Sequence, residues 1–72
     1  MGIKQKVKLI TITKNRMAIT FYDDIDIKEL MKKTTRFNYF RFENSAQPTI
    51  ILNSTNFTVQ GAMSYFIEFL NA

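Results

Sequence analysis

The sequence predicts an α+β fold of ββαββα order, a four-stranded antiparallel sheet with two helices on one face. Three observations carry this. Two pairs of segments rich in Ile, Thr, Val, Phe and Tyr are each joined by a short polar turn, residues 23–34 hold a helix start signal, and residues 58–70 space their polar side chains as a helix does. With 72 residues there is material for one core, so residues 1–72 read as a single small domain, frayed from Met1 to about Ile3.

The first pair, residues 4–13 and 17–22, flanks Lys14-Asn15, in which Asn tolerates left-handed backbone. A two-residue loop there pairs Ile12 with Met17, Ile10 with Ile19 and Lys8 with Phe21, and those residues form the face expected to meet the core. The opposite face then holds Val7, Leu9, Thr11, Ala18, Thr20 and Tyr22, which is too apolar to rest comfortably in water.

A short helix, about residues 26–34, follows from Asp26 and Glu29 three residues later, a capping-box pair, with Ile25 and Leu30 placed as a hydrophobic staple. Asp23 and Asp24 favour the positive end of its dipole and Lys32 and Lys33 the negative end. Its apolar stripe is only Ile27, Leu30 and Met31, so packing on the sheet must supply most of its stability. The second hairpin, residues 36–43 and 48–53 around Asn44 to Gln47, accepts Pro48 because that residue begins its strand. Alternation groups Phe40, Phe42, Ile50 and Leu52 on one face and Phe37, Tyr39, Arg41 and Ile51 on the other.

The last helix runs from about Thr58 to Leu70, capped by Asn56 or Thr58, and its polar side chains Gln60, Ser64, Glu68 and Asn71 make one narrow seam. So thin a seam predicts a helix buried on more than one side. The order of elements is also what a circular permutation of the split βαβ fold would give. The two halves share apolar character without a sequence repeat.

Composition narrows the chemistry. The chain has no Cys and no His, which excludes disulfides, thiolate nucleophiles, imidazole bases and the common zinc and haem sites. Asp23, Asp24, Asp26 and Glu29 cluster, but Lys28 stands where a calcium loop needs a ligand and no glycine permits its sharp turn; capping accounts for these acids, and no metal or cofactor is expected. The hydroxyls have no base to activate them, and Gly2 and Gly61 cannot build a phosphate loop. The protein is therefore read as not an enzyme, with no catalytic residues.

No apolar run follows the basic start, no stretch approaches the ~18 apolar residues of a membrane span, and Gly2 lacks the hydroxyl residue at position 6 that myristoylation needs, so a cytoplasmic protein without a membrane partner is expected. Half of the residues are Phe, Tyr, Met, Ile, Asn or Lys, whose codons are AT-rich. An accessory protein of a phage or plasmid, modulating a host factor, suits that composition.

The net charge of +4 is unevenly placed, with residues 1–16 and 32–43 basic and 17–31 acidic. Two binding readings follow. A basic-aromatic sheet face of Lys4, Lys6, Lys8, Arg36, Phe37, Tyr39 and Arg41 would stack bases and hold phosphates of a nucleic acid. The preferred reading starts from surplus apolar surface, which one core of this size cannot hide. Val7, Leu9, Tyr22, Met63, Ile67, Phe69 and Leu70 would then form an interface, first with a second copy in a homodimer and also with a protein partner.

Overall fold

In the computed structural model, residues 3–37, 39–44, 46–54 and 58–71 are described. A 3₁₀ turn, Ile3–Lys6, leads into β1 (Val7–Ile12), then β2 (Arg16–Phe21), α1 (Ile27–Arg36), β3 (Phe40–Asn44), β4 (Pro48–Asn53) and α2 (Val59–Leu70). The four strands form one antiparallel sheet in the order β1-β2-β4-β3. Since β4 lies between β2 and β3 and opposes both, β2-α1-β3 is a split βαβ unit, and the whole has the strand order of its circular permutant. The expected ββαββα fold is the one formed.

Met17, Ile19 and Phe21 of β2, Phe40 of β3 and Ile50 and Leu52 of β4 form one buried cluster with Leu30 of α1 and Ala62, Phe66 and Phe69 of α2. Both helices therefore cover the same face. Ile3, expected in a frayed end, is buried in that cluster beside Ile25.

In the first hairpin Ile10 opposes Ile19 and Ile12 opposes Met17, as the two-residue loop predicts, but Val7 and not Lys8 opposes Phe21. A bulge between Val7 and Leu9 takes up the extra residue. Regular pairing would aim a lysine at the core, which costs far more than a local break in the ladder. Val7 accordingly packs against the core rather than on the opposite face, while Lys8 is exposed and its Nζ donates to Gln47 Oε1 at 3.1 Å.

Asp26 caps α1, its carboxylate accepting from the Glu29 N–H at 3.2 Å, and the staple residues Ile25 and Leu30 are both buried. The helix continues through Arg36, and the Phe37 N–H closes it on the Lys33 carbonyl. β3 therefore begins at Phe40 instead of residue 36, which removes Phe37 and Tyr39 from the strand. Met31, expected in the buried stripe, stands half exposed. At α2 the Thr58 hydroxyl accepts from the Gly61 N–H at 3.0 Å; Asn56, the other expected cap, lies outside the described residues.

Candidate interaction surface

The basic-aromatic residues are scattered by the fold. Lys4 and Lys6 precede β1 in the 3₁₀ turn, and Lys6 Nζ donates to Asp24 Oδ2 at 2.7 Å. That bond from Lys6 holds the Asp24 carboxyl below its ordinary pKa. Lys8 sits in the bulge, Arg36 ends α1, and of the remaining three only Arg41 lies on the uncovered sheet face.

Phe37 and Tyr39 turn inward, correcting the expectation that they share that face with Arg41. The Phe37 ring lies 6.2 Å from that of Phe69, and Tyr39 lies 5.3 Å from Phe40 and 5.2 Å from Tyr65. The Tyr39 hydroxyl donates to Glu68 Oε1 at 3.0 Å. Burial, reinforced by the Glu68 carboxylate, pushes the Tyr39 pKa up to about 12. Both residues follow a helix that ends on the core side of the sheet, so their rings fill the gap between α1, β3 and α2.

Of the expected interface residues, Leu9, Tyr22 and Ile67 are exposed. Val7, Met63 and Leu70 are half-buried and lean on the core, and Phe69 is fully buried within it. Phe69 thus belongs to the inside of one chain and is withdrawn from the interface. A single chain covers α2 along Ala62, Phe66 and Phe69 and leaves Val59, Tyr65 and Ile67 open, so the helix is buried on one side rather than several.

Met31, Val59 and Tyr65 are exposed apolar residues that the expected interface lacked. The helical wheel held a signal for Met31: Ile27, Leu30 and Thr34 already occupy the sheet-facing arc of α1, and Met31 falls at its margin.

Among the described residues no helix covers the sheet's second face. Ala18, Ile51 and Arg41 lie side by side across it, and Ile51 is nevertheless buried to 1% exposure by its neighbours in the sheet. Arg41 contacts Glu43 on the same strand at 3.4 Å.

A cleft between the 3₁₀ turn, the start of α1 and the end of α2 is lined by Lys6, Asp24, Asp26, Glu29 and Lys33 over Ile3, Ile25 and Leu70. Much of its charge has structural employment: Lys6 with Asp24, Asp26 as the α1 cap, and Lys33 Nζ 3.5 Å from the Phe69 carbonyl. Among the described residues no three carboxylates gather into a metal-binding group, and no helix is long and apolar enough to cross a membrane. Comparisons with protein-family models, with curated proteins and with solved structures find no match for this chain.

Proposed function

We propose that this protein is a small non-enzymatic interaction module that works as a homodimer and binds a protein partner through its remaining apolar surface. One observation carries the reading. Six large apolar side chains, Leu9, Tyr22, Met31, Val59, Tyr65 and Ile67, are each between 48% and 63% exposed. They lie on both helices and on the first hairpin, and they offer apolar surface for contact with another macromolecule.

The non-enzymatic part rests on what the titratable groups do. The chain has no His or Cys. Asp24, Asp26 and Glu68 are engaged by Lys6, the Glu29 N–H and Tyr39 in contacts that serve the fold. An accessory protein of a phage or plasmid remains the instance best suited to the AT-rich coding composition.

Sedimentation at low micromolar concentration tests the dimer. The expected mass is twice the 8.5 kDa of the chain. A single species of 8.5 kDa with intact helical circular dichroism would exclude it. The absorbance ratio at 260 and 280 nm of purified protein tests the nucleic-acid alternative: the chain has no Trp and three Tyr, so carried nucleic acid would dominate the spectrum and leave at high salt.

A further inference from the structure

We propose that the free edge of β3 pairs antiparallel with β3 of a second copy about Phe42, joining two four-stranded sheets into one of eight strands. This rests on the homodimer reading and specifies where the two-fold axis lies.

The sheet has two edges, and they are unlike. β1 is interrupted by the bulge at Lys8 and preceded by the 3₁₀ turn. Bulges and lysines are the usual means by which an edge is kept from pairing with another chain. β3 has neither. Its register with β4 runs without interruption from Phe40 opposite Leu52 to Asn44 opposite Pro48, and it contains no Lys, Pro or Gly.

The charges on β3 are self-complementary. Arg41 and Glu43 lie on the uncovered face, their side chains 66% and 45% exposed, and their contact within the strand is a long 3.4 Å. A two-fold axis that keeps both helical layers on one side of a continuous sheet must pass through a residue of β3, because antiparallel partners share a face. An axis at residue 41 sets Arg41 against the partner's Arg41, and an axis at 43 sets Glu43 against the partner's Glu43. An axis at Phe42 sets Arg41 against the partner's Glu43, and Glu43 against the partner's Arg41. Opposite charges directly across a ladder stabilise it and like charges oppose it, so the sequence of β3 selects the Phe42 register.

On the helical side of β3, Phe42 is half-buried against the core, and α1 and β3 are in contact. Lys33 of α1 reaches back to α2 through the Phe69 carbonyl. Met31 lies about 200° round the helix from Lys33. It stands half exposed.

Charge exchange tests this arrangement. Glu43→Arg and Arg41→Glu should each raise the dimer dissociation constant about tenfold or more, because each creates two like-charge oppositions. An equimolar mixture of the two variants should recover dimer, since every opposition then joins Arg to Glu. The double exchange Arg41→Glu/Glu43→Arg should also dimerise, and Ile67→Asp on α2 should leave the dimer intact. Circular dichroism confirms that each variant is folded. If the wild type is dimeric and both single variants remain so, or if Ile67→Asp dissociates it, the β3 seam is overturned while the homodimer stands. A monomeric wild type overturns the homodimer itself.

Discussion

Thr58 and Gly61 illustrate how closely two residues can compete at a helix start. The Gly61 N–H donates to the Thr58 hydroxyl at 3.0 Å, and a Cβ at Gly61 would lie 3.0 Å from that same oxygen. Ala in place of Gly gains about 1 kcal/mol of helix propensity, and loss of a Thr cap costs about 1 kcal/mol. Gly61→Ala should therefore leave the stability of the wild type almost unchanged and add about 1 kcal/mol in a Thr58→Ala background, which denaturant titration of the four proteins would read as a coupled pair. Asp26→Ala should cost about 1 kcal/mol, and millimolar calcium or magnesium should leave the melting temperature where it is. Tyr39 offers a pH signature. Burial and Glu68 raise its pKa from 10.0 to about 12, so the fold favours the neutral phenol. Its stabilisation is complete below pH 10 and disappears as the pH rises through about 12. Tyr39→Phe should lose less stability than the wild type over that interval, measured by urea unfolding at a series of pH values.

At the scale of elements, burial in this sheet does not follow the helical layer alone. Ile51 lies on the uncovered face yet is 1% exposed, whereas Leu9 of the edge strand is largely open. The central position of β4, between Ala18 of β2 and Arg41 of β3, accounts for the difference. Ile51→Ala should cost about 2 to 3 kcal/mol, and Leu9→Ala less than about 1 kcal/mol. The same contrast runs along α2. Phe69→Asp puts a carboxylate into the core and should abolish folding, while Ile67→Asp, on an exposed position, should leave the circular dichroism spectrum of the wild type.

For the whole molecule, size sets the terms. A domain of this length buries roughly 60% of the surface of its unfolded chain and has a small margin of stability. Any contact between copies that forms only in the folded state adds to that margin by mass action. The melting temperature of the wild type should therefore rise with protein concentration over the range in which sedimentation finds dimer forming, and Glu43→Arg should remove the dependence. A melting temperature independent of concentration across that range would break the proposed link between folding and assembly.

What could be read from the chain alone was what neighbouring residues decide among themselves. The order of the elements follows from periodicities of two and 3.6, the pairing of Ile10 with Ile19 from a two-residue loop, and the start of α1 from Asp26 and Glu29, three residues apart. Each is local, so no distant residue has to be known. The site was less legible, because exposure at the margins of elements is a contest between distant parts of the chain. Val7 faces the core because a bulge spares the molecule a buried Lys8; Phe37 and Tyr39 face it because α1 runs on to Arg36 and delivers them beside Phe69 and Tyr65. Met31 faces outward because Leu30 and Ile27 suffice to fill the space over the sheet. The placement of β4 between β2 and β3, which leaves β3 as an unguarded edge, was likewise decided only when both helices settled on one face and the strands were ordered to cover a common core.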